Sequence, residues 1–239
     1  MAWLETNDFR IYSPEMKIAP EDKAAFMDYK RAIAIDALRA GFANVNGEAG
    51  FRIGRAFTVF DDKPPRVRIA NAERGGISKF PEILGAFGTW MVTQRVIDII
   101  EGIEPGVHRY IPVDLRFEDG GPPDEPRWLL NVMTSIESLM LEHSKLGSSQ
   151  PEVLAPGFRA VKRYFVEGAP SYRVDQGKAE RRNLPYPLAV SAEAIKGRAL
   201  WCERHLRWGT MLVSDALADA LEALPRRSGI MWEYYVREI

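Results

Sequence analysis

Near the C-terminus the apolar run Thr210-Met211-Leu212-Val213 stops at Ser214-Asp215. Good helix formers follow from Ala216 to Ala223, with Leu217, Ala220, Leu221 and Leu224 at helical spacing. This pattern predicts a buried strand, a Ser N-cap and an amphipathic helix that ends at Pro225, where the ring removes a donor. Ile230 to Val236 then alternates, with Ile230, Trp232, Tyr234 and Val236 on one face of a strand. The same order occurs earlier in the chain: Trp90-Met91-Val92 as strand, Thr93 as cap, Val96 to Glu101 as helix and Val107 to Phe117 as the returning strand. Two unrelated pieces of supersecondary structure and an internal repeat both fit this pattern.

Elsewhere the periodicity is more local. The stretch to Tyr12 reads as a strand or extended arm. Pro20-Glu21-Asp22 reads as a helix first turn, followed by Phe26, Tyr29, Ile33 and Ala37 on one face and closed by Gly41. Phe51 to Phe60 is rich in strand formers. Arg66 to Ala70 alternates as a short strand with one wet face. Arg74-Gly75-Gly76 and Gly85-Ala86-Phe87-Gly88 bracket Phe80 to Leu84, which reads as a loop and places a boundary between a lobe over 1–84 and one over 85–239, though one continuous domain also fits. Pro112 lacks a ladder donor and so assigns the strand Val107 to Phe117 to an edge or a bulge. The acidic stretch Glu118 to Pro126 joins it to a strand over Trp128 to Met133 as a wide hairpin. Ser135 to Ser144 suits a short helix or turn, and Phe158 to Val166 and Pro185 to Ser191 suit strands. Leu200 to His205 suits a strand or a helical turn. Strands and helices mix without a regular βαβ rhythm, so the expected fold class is α+β with a mixed or largely antiparallel sheet and packed helices.

The chain has 239 residues, 46% of them hydrophobic and 27% charged, which suits a globular protein with a large core. Its formal charge of -1 argues against nucleic acid as a partner. The single cysteine, Cys202, forms no internal disulfide and suits a reducing cytoplasm. No secretory signal or membrane-spanning run is visible, so a soluble, cytoplasmic protein without a membrane partner is expected.

Candidate chemistry is sparse. Cys202 and His205 have metal-ligand spacing, but a zinc site needs three or four ligands, and only His108, His143 or a carboxylate remain to complete it. No metal and no cofactor is therefore expected. Glu137, Glu142 and His143 share one segment and offer an acid/base cluster, with Arg109 or Arg204 as a charge stabiliser, but acids this dense on a polar segment are usually a solvated face, which is the simpler explanation. Thr93 and Ser214 each precede a helix and need no role beyond capping. No nucleophile elbow, phosphate loop or dinucleotide fingerprint is present. Two features suit a protein partner: Trp208 and Tyr235 among the aromatic residues of the C-terminal segment, and the acidic loop with Glu118, Asp119, Asp124 and Glu125.

Several stretches resemble one family: Phe80-Pro81-Glu82-Ile83-Leu84, Trp90 to Glu101, Gly106 to Val113, Leu129-Leu130-Asn131-Val132, Ser135-Ile136-Glu137-Ser138, Leu212 to Leu217 and Ser228-Gly229-Ile230. Together they resemble the immunity proteins of bacterial polymorphic toxin systems usually called immunity protein 11, from Phe80 to the C-terminus. Glu82 stands where that family's pattern has Asp, and Met140 where it has a second Asp. The resemblance implies an α+β protein that binds and neutralises a cognate toxin, and it brings no catalytic residues. An enzyme of unrecognised type using the Glu/His cluster, or a structural adaptor subunit, are the alternatives. A homo-oligomer is compatible with all three.

Overall fold

The computed structural model describes residues 2–5, 15–28, 58, 60–70, 81–148, 164–166, 188–203, 206, 211–224 and 232–239. Their strands form two six-stranded mixed sheets and a two-stranded ribbon, an α+β fold. The first sheet runs in the order β2 (Glu15–Ile18), β3 (Arg66–Ala70), β6 (Arg109–Arg116), β7 (Arg127–Asn131), β5 (Thr89–Val92), β4 (Ile83–Ala86). The second runs β11 (Leu188–Val190), β14 (Trp232–Glu238), β1 (Ala2–Glu5), β13 (Met211–Ser214), β12 (Leu200–Glu203), β8 (Ser135–Ile136). β9 (Leu146–Ser148) and β10 (Tyr164–Val166) make the ribbon. Both large sheets draw strands from either side of position 84/85. The helices are α1 over 20–28, α2 (Gln94–Ile103), α3 (Ala192–Ile195) and α4 (Asp215–Glu222).

The strand-helix-strand unit is present twice and with one topology. β5 and β6 flank β7, which is antiparallel to both, and α2 connects them. β13 and β14 flank β1, again antiparallel to both, and α4 lies between them in sequence. Each unit is thus a parallel pair split by an inserted strand, which is β7, the next strand in sequence, in the first and the N-terminal β1 in the second. The two helices pack on each other, and Val96, Ile97 and Ile100 of α2 share one core with Leu217, Ala218 and Leu221 of α4. That core also takes Trp90, Val92 and Leu130 from the first sheet and Leu200, Met211 and Val213 from the second. Burying these apolar faces together ties both sheets to one hydrophobic centre.

Period-2 alternation decides which side chains go where. In β3, Val67 and Ile69 face a second core that contains Phe26 of α1, Phe60, Leu115 and Phe117. In β12 and β13, Trp201 and Leu212 turn away from the shared core into a third one with Leu188, Val190, Ile195 and Leu206. This third core lies inside the second sheet, which curls on itself. The segment after β8 leaves the β12 edge and reaches the opposite edge, where Leu139 bridges Val190 and the Met140 amide donates to the Ala189 carbonyl at 2.8 Å.

Three expectations need correction. The segment bracketed by glycines contains a strand, β4, joined to β5 by a two-residue turn in which Phe87 and Gly88 take φ of 55° and 81°. Such left-handed pairs match the twist of a tight hairpin. β6 is not an edge strand: it lies between β3 and β7. Pro112 is accommodated because the β3 ladder begins only at Asp114, whose amide donates to the Pro65 carbonyl at 3.0 Å. The missing Pro112 donor points to the same side, ahead of the ladder. Thr93 makes no side-chain cap on α2, whereas Ser214 accepts from the Leu217 amide at 3.3 Å and Ser191 caps α3 in the same way. The helix periodicity over Tyr29 to Gly41 and most of Phe51 to Phe60 lie outside the described residues.

Candidate partner-binding site

The acidic hairpin grows out of buried residues at both ends. Phe117, at the end of β6, is buried with Leu115, and its amide donates to the Gly121 carbonyl at 2.8 Å. Gly120 closes this turn at φ 84°, donating to the Phe117 carbonyl, and the Asp119 carboxylate accepts from the Gly121 amide at 2.8 Å. A left-handed residue without a Cβ suits that position. Glu118, Asp119 and Asp124 are exposed on the loop.

The far end is fastened by a polar cluster. Arg95, on the first turn of α2, donates from Nη2 to Glu125 Oε1 at 2.8 Å. The same nitrogen lies 3.1 Å from Glu82 Oε1, a charge contact without hydrogen-bond geometry. Glu82 is fully buried, and its Oε2 accepts from the Thr93 hydroxyl at 2.6 Å. Arg127, which opens β7 and is also buried, donates to the carbonyls of Pro81 and Glu82 at 2.8 and 3.1 Å. A buried carboxylate is tolerated only with such compensation. The chain entering β4, the cap of α2, the start of β7 and the acidic loop are therefore held as one unit. Glu125 is part of that framework, while Glu118, Asp119 and Asp124 form its acidic rim.

The other sequence-derived residues are spread out. Trp208 lies outside the described residues. Tyr235 is in β14 with its backbone opposite Trp3 of β1, so the acidic loop belongs to one sheet and Tyr235 to the other. Glu137, Glu142 and His143 are exposed, and the Glu142–His143 contact is 3.8 Å on a single 3-10 turn. Arg109 pairs with Asp61 at 2.7 Å. Cys202 is buried in the shared core; His205 and Arg204 lie outside the described residues. Among the described residues no group of three His, Cys, Asp or Glu side chains is arranged to hold a metal ion, and no helix is long and apolar enough to cross a membrane.

Two further buried acids were not singled out from the sequence. Glu203 Oε2 accepts from the Ser138 amide and hydroxyl, both at 2.7 Å, and from the Leu139 amide at 3.1 Å, so β12 anchors the segment that closes the curled sheet. Ser138 in turn accepts from Trp201 Nε1 at 3.1 Å. Glu104, at the C-cap of α2, accepts from the Ala199 amide at 2.8 Å and from Arg198 at 3.0 Å. His108 Nδ1 accepts the Met133 amide, which leaves Nε2–H to face Glu104 at 3.4 Å. Burial works to raise the Glu104 pKa, but the hydrogen bonds from His108, Ala199 and Arg198 outweigh it and hold the carboxyl below its ordinary value. The sequence carried a signal for both: an acid at a helix C-terminus opposes the helix dipole, and Glu203 ends the apolar run Leu200-Trp201-Cys202.

The model of the Immunity protein family (Imm11) matches residues 7–233. The chain belongs to the Imm11 family. No curated protein matches it. The Imm11 match takes in β2, α1 and β3, which the resemblance from Phe80 onward left aside. Placed on the fold, the stretches that carried that resemblance are its framework: Glu82 and β4, β5 with α2, β6, β7, β8 with Ser138, and β13 with the start of α4. Two of them supply members of buried polar clusters, Glu82 and Ser138. Met140, where the family pattern has Asp, is half-buried and bonds through its backbone to Ala189.

Proposed function

We propose that this Imm11 protein binds a cognate polymorphic toxin in the cytoplasm of the cell that makes it and neutralises it by occupying its surface. The observation that carries this reading is the family match over residues 7–233. The acidic hairpin supports it. Its rim carboxylates project from a base fixed by Arg95, Glu82 and Arg127, so little ordering remains to be done when a partner arrives. Exposed charge on a rigid support speeds encounter with a basic partner and fixes its register. Neutralisation is then steric and electrostatic, with no bond made or broken in this chain. Glu118, Asp119 and Asp124 contact the toxin, Glu125 positions the loop, and Trp208 and Tyr235 are aromatic anchors on the same partner.

The test is co-expression with the product of the adjacent upstream gene, scoring growth and co-purification together. Growth arrest by the toxin, relieved by this protein in a stable complex, is the expected result. A stable complex without protection would point to an adaptor role. Protection without a complex would point to catalysis or to an indirect effect.

A further inference from the structure

The first sheet has a second charged surface on which the acidic hairpin has no part. Lys17 of β2 is directly opposite Arg68 of β3, and Arg68 is directly opposite Arg116 of β6. Register partners on neighbouring strands share a face, so the three cations form one row across three strands, spanning about 10 Å at the usual strand spacing. All three are exposed. Their neighbours Val67 and Ile69 take the opposite, buried face. Around the row, Arg66 is neutralised by Asp22, whose carboxyl that guanidinium holds below its usual value, and Arg116 bonds to Asp114 at 2.6 Å. Lys17 also has an interaction of its own, whereas Arg68, at the centre, has no side-chain hydrogen bond or ion pair among the described residues. Like charges directly opposite one another on a sheet are destabilising, and Arg68 stands between two of them.

We propose that the face carrying Lys17, Arg68 and Arg116 is a second contact surface for the toxin, one that receives a carboxylate-rich patch of it. The assignment rests on the toxin-binding reading and gives it a polarity. Arg116 is two residues before Glu118, so the cationic row and the acidic rim adjoin along one strand end. A partner with the inverse pattern, acidic opposite the sheet face and basic opposite the hairpin, satisfies both at once and is distinguished from partners of uniform charge. This also favours a protein over a nucleic acid. An extended polyanion laid along the row would run into the carboxylates of the hairpin, and the whole chain carries no basic excess.

The experiment uses the full-length chain, the substitutions Arg68→Glu and Arg68→Gln, and, as the toxin, an inactivated form of the product of the adjacent upstream gene. Association is followed by stopped-flow fluorescence at low salt and at 1 M salt, with thermal unfolding as the check on folding. Arg68 is exposed and flanked by two cations, so Arg68→Glu is expected to unfold no earlier than wild type. The expected result at low salt is association about tenfold slower for Arg68→Glu, with Arg68→Gln between. The difference is expected to vanish at 1 M salt, where the Debye length falls to about 3 Å. A wild-type rate for Arg68→Glu at low salt overturns the assignment and leaves the toxin reading standing. Absence of toxin binding by the wild-type chain overturns both. Binding of a labelled DNA duplex that Arg68→Glu abolishes, with toxin association unchanged, overturns the assignment in favour of a polyanion.

Discussion

Replacing Glu203 with Ala tests how the curled sheet is closed. The carboxylate accepts three donors on one oxygen: the Ser138 amide, the Ser138 hydroxyl and the Leu139 amide. The hydroxyl can rotate to a new acceptor, but the two amides are fixed by the backbone. A buried donor left without an acceptor costs about 1–3 kcal/mol. Two of them, less the relief of no longer burying a charge, give a loss of about 3 kcal/mol. Against a total stability of about 5–15 kcal/mol this is a large fraction. For a chain of this size it lowers the melting temperature by roughly 6–12 °C. Glu203→Gln keeps an acceptor and exchanges a charge-assisted bond for a neutral one, so its loss is expected to be about 1 kcal/mol. Thermal unfolding by circular dichroism gives both values. Amide hydrogen exchange at Ser138 and Leu139 then shows whether the closing segment is what loosens. A Glu203→Ala variant within 1 kcal/mol of wild type, or one whose Leu139 amide exchanges no faster, would refute the role given to this carboxylate.

Glu104→Gln is expected to flatten the acid limb of stability. The folded carboxyl titrates below its ordinary value of 4.5, so its contribution is complete above that pH and is lost as pH falls through the lower folded value. Urea midpoints measured from neutral to about pH 3.5 check this, and parallel wild-type and variant curves would contradict it. Thr93→Val removes the donor to Glu82 and is expected to cost about 1–3 kcal/mol. Ser214→Ala removes only a cap and is expected to cost about 1 kcal/mol; equal losses in urea denaturation would mean that the two hydroxyls play the same part. Asp124→Lys is expected to slow toxin association at low salt while leaving the melting temperature unchanged. Glu125→Lys is expected to lower both, because Glu125 is bonded to Arg95; a Glu125→Lys melt equal to wild type would show that the loop is not anchored there.

Much of the fold was legible where the pattern is local. Val67 and Ile69 against Arg66 and Arg68 gave β3 with its buried and wet faces. The runs before Thr93 and Ser214 gave β5, α2, β13 and α4. What stayed hidden depends on partners distant in sequence. The hairpin links β6 to β7, but nothing near β5 shows that β7 also pairs with it, or near β13 and β14 that β1 lies between them. β4 was masked by glycines that belong to a tight hairpin, because Phe87 takes a left-handed conformation that its side chain does not advertise. The Thr93 hydroxyl reads as a cap until Glu82 is brought beside it.

The candidate site divides in the same way. The exposed acids of the hairpin were visible as composition, but their support was not, because Arg95 and Arg127 are ordinary cations in the sequence and become anchors only once β4 and β7 are adjacent to the start of α2. The row Lys17, Arg68, Arg116 is likewise invisible until strand register places the three opposite one another.

The most direct test of the central claim is a calorimetric titration of the inactivated product of the adjacent upstream gene, taken as the toxin, into this purified protein, with the Asp124→Lys variant beside it. A saturable complex that weakens on Asp124→Lys and with rising salt is the result predicted for an immunity protein that binds through its acidic hairpin. Absence of binding at micromolar concentrations, with the toxin folded and this protein intact, would contradict it.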